Sequence, residues 1–270
     1  MNVFSFDIAG DMAFFKKNDT NDMVYISYNF LHKPVILGII GAILGISGYA
    51  KSGENKKEKR HPNYYTKLKD VKIAILPHYE KPLKKVITGF NNSSCLASTK
   101  SKPKQGQNWQ IREQILVGEP DIRYTVFVLD NNSIQDGLII NLKNMLKNRE
   151  SEYPLYFGKN EFFAYHENYQ EYEAMPLTCA EASVCSLIKT GDENRTIFRE
   201  VSFEDFDPFE KTSNEGYTIY EHLPYDFDER GFYKKDMFVL TQREIIIEDK
   251  TDLYTLVTKS GGEPFNVQFI

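Results

Sequence analysis

This 270-residue chain is poor in the residues that build most metal and redox sites. It has three cysteines, Cys95, Cys179 and Cys185, which cannot all pair within one chain and never stand at C-x-x-C spacing. Reduced thiols in a cytoplasmic protein are therefore expected. The histidines (His32, His61, His78, His166, His222) are scattered, and no H-E-x-x-H occurs, so zinc hydrolysis has no recognisable ligand set. Asp226-Phe227-Asp228-Glu229-Arg230-Gly231 opens like a calcium loop. It then carries Arg230 at the fifth position and Met237 at the twelfth, and reads as a solvated acidic turn. No G-x-x-x-x-G-K-[ST] phosphate loop is present, and Gly45-Ile46-Ser47-Gly48 does not match the G-x-S-x-G elbow. Residues 1–20 hold Asp7 and Asp11 before any basic residue and lack a continuous apolar core, so no secretory signal is expected. No metal, cofactor or catalytic residue is assigned from these patterns.

What the chain does have is enough apolar residue, 41%, for one large or two modest cores, and a polarised charge. The formal net charge is −5. Residues 51–114 carry 15 Lys and Arg against 5 Asp and Glu, while residues 161–230 carry 5 against 17. A basic third beside an acidic third is either two solvated faces or a polyanion site beside a surface for another partner.

The run Pro34–Tyr49, PVILGIIGAILGISGY, is too short for a membrane span, which needs about 20 apolar residues. Pro34 suits a first helical turn. Gly38, Gly41, Gly45 and Gly48 step by three, four and three, so they share one helical face. Each interior glycine costs roughly 1 kcal/mol against alanine. A repeated cost of that kind predicts close packing of another element, here a helix lying on a sheet.

Around it, VFSFDI (3–8) alternates like a strand that Gly10 stops, and residues 51–69 read as a Lys-rich linker. VKIAILP (71–77) and IRYTVFVL (122–129) read as strands, and 82–118 as an extended hairpin arm with a basic tip. Ser133 and Asp136 resemble a capping box opening a helix that places Ile134, Leu138, Leu142 and Met145 on one face. Residues 161–172 return as a strand. The order is β-α-β-β-α-β. The fold expected is therefore α+β: a ferredoxin-like (RRM-like) domain over 1–174 with an insertion at about 82–118, then a smaller β-rich domain over 175–270.

Lys100, Lys102, Lys104, Gln107, Asn108, Trp109 and Arg112 combine cations for phosphates, amides for base edges and the only indole. Trp109 fits a stacking platform and an anchor for the arm equally well. Lys16, Lys17, His32 and Lys33 add cations before the glycine run, and the start of a helix suits a phosphate. His61, Tyr64, Tyr65 and Lys67 could serve metal-free RNA cleavage by general acid–base work on a 2′-OH, or form a plain basic loop.

VFSFDIAGDMAFFKK, the Tyr-rich turn after it, PVILGIIGAILG and the later YPLYFGKNEFFA (153–164) together resemble the CRISPR-associated family-five proteins. These are RAMP-type subunits of type I Cascade surveillance complexes, and the chain is most similar to the I-B-like branch. The resemblance covers about the first 170 residues. It implies a ferredoxin-like domain whose inserted β-hairpin thumb is the 82–118 arm. It also implies antiviral defence through binding of the 5′ handle of the guide RNA (crRNA). The partners it implies are the family-seven backbone subunit, the Cascade large subunit and, through the complex, target DNA. Lys33 stands where relatives commonly carry a basic residue, whereas Pro34 replaces their Ser or Thr. One branch cleaves precursor guide RNA with a Tyr, Lys and His constellation. This chain has no Lys-His pair in or after the arm, so a non-catalytic subunit is expected, with a metal-independent endoribonuclease as the alternative.

Overall fold

A computed structural model describes residues 1–19, 24–48, 61–79, 82–93, 108–131, 136–191, 198–200 and 217–270. The frame is an antiparallel sheet. β1 (Asn2–Ala13) lies at its centre, with β4 (Asn108–Asp130) on one side and β6 (Phe163–Pro176) on the other. β2 (Ile73–Pro77) pairs with the far edge of β4, giving the order β6-β1-β4-β2. Helix α1 (Lys33–Ile43) connects β1 to β2, and α3 (Asp136–Asn148) precedes β6.

The alternation in β1 decides which face is which. Phe4, Phe6 and Ile8 are buried with Tyr124, Val126 and Val128 under Ile36, Ile40 and Ile43 of α1 and Leu142 and Leu146 of α3. Each such side chain contributes about 1.5–3 kcal/mol by leaving water. β1 runs past Gly10, contrary to the sequence expectation. A Cβ on Gly10 would lie 2.6 Å from the Phe163 carbonyl oxygen, so this glycine admits a close neighbour rather than ending the strand.

Helix α1 is shorter than its apolar run. Gly45 takes φ +72, and the amides of Ile46 and Gly45 donate to the carbonyls of Gly41 (2.8 Å) and Ala42 (3.4 Å). That is a Schellman ending, and it leaves Gly45 and Gly48 outside the helix. The close neighbour of Gly41 is a second helix, α2 (Asn63–Leu68), where the sequence predicted only linker. A Cβ on Gly41 would stand 2.6 Å from Tyr64 Cβ.

The C-terminal third is not set apart from the first. β13 (Leu253–Thr258) pairs with β6 from Tyr172 to Pro176, and β14 (Phe265–Gln268) extends the same sheet. The expected boundary at 174/175 therefore falls inside β6. Leu256, Val267 and Phe269 cover Val3, Phe127 and Leu129 on the face away from the helices. Two three-stranded sheets complete the described chain. One joins β8 (Ile188–Lys189), β10 (Thr218–Phe227) and β11 (Tyr233–Thr241). The other joins β7 (Glu181–Ala182), β9 (Phe198–Glu200) and β12 (Ile245–Ile247). Leu223, Phe238 and Leu240 enter the same core as Phe4 and Phe6. No helix among the described residues is long and apolar enough to cross a membrane.

Candidate nucleic-acid interface

The arm predicted at 82–118 is a hairpin. β3 (Lys84–Ser93) pairs with the first half of β4, from Lys84 opposite Val117 to Ser93 opposite Asn108. Because β4 is one 23-residue strand, its other half is the sheet strand between β1 and β2. The arm is thus a direct extension of the sheet's framework.

Directly opposed residues share a face. Lys85, Ile87 and Gly89 therefore lie on the same face as Leu116, Gln114 and Arg112, and Gln110 follows two residues from Arg112 on that face. Residues 84–89, Gln110 and Arg112 are all exposed, and Ile87 keeps 61% of its surface. Gly89, opposite Arg112, presents no side chain there. Among the described residues, the Arg112 guanidinium touches only Gln110 Oε1, at 3.4 Å on the exposed surface. Both faces meet the protein at the base: Leu116 is fully buried on this one, and on the other Glu113 is buried and paired with Lys159 at 2.7 Å.

Tyr25 joins this base from another segment. Its amide donates to the Arg112 carbonyl (2.9 Å), and its carbonyl accepts from the Gln114 amide (2.8 Å). Lys16 Nζ lies 3.7 Å from the Tyr25 ring centroid. Tyr25 bridges to Glu113, so its ring and Lys16 border the base of the arm on the Glu113 face, while Arg112 and Gln110 stand on the opposite face. Exposed cations beside a ring and an amide can neutralise phosphates and take up a base. The sequence reading missed Lys85, Gln110 and Tyr25. The alternation of KKVITGFNN against NWQIREQ carried the signal for the first two.

The other assigned residues divide. Lys100, Lys102, Lys104 and Gln107 lie outside the described residues, as does Cys95. The backbones of Asn108 and Trp109 pair with Ser93 and Asn92. Lys17 is not on the arm's surface: it forms a 2.8 Å ion pair with buried Glu221, which also accepts from the Asn29 amide.

His32 and Lys33 correct the expectation of a phosphate at the start of α1. His32 is 3% exposed and sits among Phe15, Tyr28 and Tyr233, with ring centroids 5.4–6.5 Å away. Three rings from distant segments exclude the water a cation needs, and burial lowers its pKa to about 3. Lys33 Nζ donates to the Ile270 carbonyl at 3.1 Å, and burial lowers its pKa to about 8. Neither side chain presents an accessible charge to a polyanion.

The depressed His32 pKa has a measurable result. Between pH 3 and its usual value of 6.5 the unfolded chain binds a proton that the folded chain does not. Stability therefore falls as pH drops through that window. His32→Phe, which keeps the ring contacts, should lessen the loss between neutral pH and pH 4 by roughly 3 kcal/mol. Urea unfolding across pH reads this. An unchanged acid limb in the variant would remove His32 as its cause.

The proposed acid–base group is also placed differently. Tyr64 packs on Gly41, and the Tyr65 hydroxyl donates to Asp226. Burial is the main cause that raises the Tyr65 pKa, to about 12. His61 lies tilted against Tyr65 and Phe227, with ring centroids 5.1 and 5.9 Å away. Tyr64 thus packs on α1, and Tyr65 is engaged with Asp226 and Phe227. The calcium-like turn is occupied too: Asp228 accepts from the amides of Arg230 (2.9 Å) and Phe232 (2.8 Å). Along α1, Pro34, Val35, Gly38, Tyr64, Tyr153 and Tyr233 help line an open groove of about 450 Å³.

The sequence matches no protein-family model and no curated protein. Among solved structures, the chain is similar to a CRISPR protein from Archaeoglobus fulgidus, with 10% identity, 99% of each chain covered and a TM-score of 0.48. A chain of a CRISPR RNA-guided surveillance complex shares 11% identity over 91% of each chain, with a TM-score of 0.45. A chain of a Type III-B Cmr-beta complex bound to cognate target RNA shares 13% identity over 90% of this chain and 86% of that one, at 0.48. These neighbours are CRISPR-associated proteins and complexes. At such scores no residue role is carried over from them.

Proposed function

We propose that this chain is a non-catalytic guide-RNA-binding subunit of a CRISPR surveillance complex of the Cascade type. It holds the 5′ handle of the guide RNA through the β3–β4 arm and its base, and caps the backbone beside the large subunit. The family-seven backbone subunit and the large subunit are its protein neighbours, and target DNA is met through the assembled complex. The motif resemblance of residues 3–45 and 153–164 supports this reading. So does the strand order β6-β1-β4-β2, which is the order a ferredoxin-like βαββαβ unit requires.

The observation that carries it is the arm. β3 is exposed over residues 84–89 although its β4 partners Glu113, Ile115 and Leu116 are buried, and a two-stranded ribbon continuing beyond that base is marginal in water. Its surface offers Lys85, Arg112 and Gln110, and its connection carries Lys100, Lys102 and Lys104. A polyanion is the partner such a surface neutralises.

The test is to express the chain with its partner subunits and a repeat–spacer array, purify it, and sequence the bound RNA. A short RNA with one uniform 5′ end is expected. Heterogeneous cellular RNA, or none, would contradict handle binding.

A further inference from the structure

On the sheet face turned away from α1 and α3, the first residues of β6 form a row of exposed rings. Phe163 is 71% exposed and Tyr165, two residues on, 47%. β5 (Leu155–Tyr156) sets Tyr156, 44% exposed, directly opposite Phe163, at the edge where it also borders the groove along α1. Phe163 and Tyr165 also border a hollow of about 350 Å³ completed by Pro154, Leu155, Arg149 and Glu167. Monomeric surfaces seldom leave adjacent rings this open without a use.

The charge beside the rings selects the occupant. Tyr165 Oη lies 3.3 Å from the Arg123 guanidinium, which three carboxylates surround: Glu167 at 2.6 Å, Asp121 at 2.8 Å and Asp7 at 3.5 Å. One guanidinium among three carboxylates leaves an excess of negative charge. Glu161, exposed in the turn before Phe163, adds to it, while Arg149 is the opposing cation. A phosphate chain would meet net repulsion here. A cationic side chain would gain twice, from the ring faces and from the carboxylates. Lys189, 4.0 Å from the Tyr225 ring centroid and 3.0 Å from Asp236, shows that combination inside the same molecule.

We propose that Tyr156, Phe163 and Tyr165, with their acidic border, form a docking surface for an Arg/Lys-bearing segment of a partner protein. The surface does not depend on the RNA reading and stands or falls separately. The test is fluorescence anisotropy of a labelled Arg/Gly-repeat peptide and, separately, of a labelled single-stranded RNA. Wild type is compared with Phe163→Ala/Tyr165→Ala and with Glu161→Lys. All three positions are exposed, so the variants should melt as wild type does.

Peptide affinity is expected to fall about fivefold in the double variant and to weaken in Glu161→Lys, with RNA affinity unchanged. Unchanged peptide affinity in both variants, or no peptide binding by wild type, would overturn the proposal. Loss of RNA binding with retained peptide binding would assign the face to nucleic acid and also overturn it.

Discussion

Gly158→Ala is expected to be the most damaging single methyl in the described part of this chain. Gly158 takes φ +83, and a Cβ there would stand 1.9 Å from the Phe14 carbonyl oxygen. That carbonyl cannot retreat easily, because the Phe14 amide donates to the Phe157 carbonyl at 3.0 Å and both rings are buried. The turn carrying Phe157 and the end of β1 would have to separate. A cost of about 3 kcal/mol or more follows, which for a chain of this size lowers Tm by roughly 6–12 °C.

Two comparisons separate clash from strain. Gly261 has φ +87 but nothing within 4 Å of its Cβ position, so Gly261→Ala should cost only about 1 kcal/mol. Gly48 has neither constraint, and its alanine variant should be near neutral. Equal melting shifts at 158 and 261 would show that the close approach to Phe14 does not govern this turn.

The second large effect concerns the arm. Joining Gly89 to Arg112 through an Asn-Gly turn would remove residues 90–111 and the three tip lysines. It would keep Thr88 opposite Glu113, both Tyr25 hydrogen bonds and the Glu113–Lys159 pair. Asn-Gly favours the tight hairpin turn this register needs. Global stability should change by less than about 1 kcal/mol, since the core-facing Ile115 and Leu116 remain. Guide-RNA affinity should fall by at least about tenfold, or ~1.4 kcal/mol.

Local patterning made the sheet legible where its partners are patterned too. Phe4, Phe6 and Ile8 announce β1, and the alternating arms of 82–118 announce the hairpin. Three features needed distant residues. α2 is six residues long with only Tyr65 and Leu68 buried, too few to show a period inside a Lys-rich stretch. β13 joins β6 across more than 70 residues, so nothing near either strand reveals the pairing. The pair His32-Lys33 reads as two cations beside a helix start. The rings of Phe15, Tyr28 and Tyr233 bury the first, and the carbonyl of Ile270 holds the second. The candidate site was thus half visible: the hairpin is present and Lys16 lies at its base, whereas Lys17, His32 and Lys33 are engaged elsewhere. Lys16 reaches it only because Tyr25 crosses to β4.

Salt titration of RNA binding by the intact and arm-shortened chains decides whether the arm holds the guide RNA. The probe is a repeat-derived RNA carrying the 5′ handle. The logarithm of affinity falls linearly with the logarithm of salt, by about 0.7 per phosphate neutralised on a single strand. With three tip lysines gone, the slope should become shallower by about two, together with the tenfold loss. The same slope and the same affinity in both chains would contradict the assignment of the arm to the guide RNA.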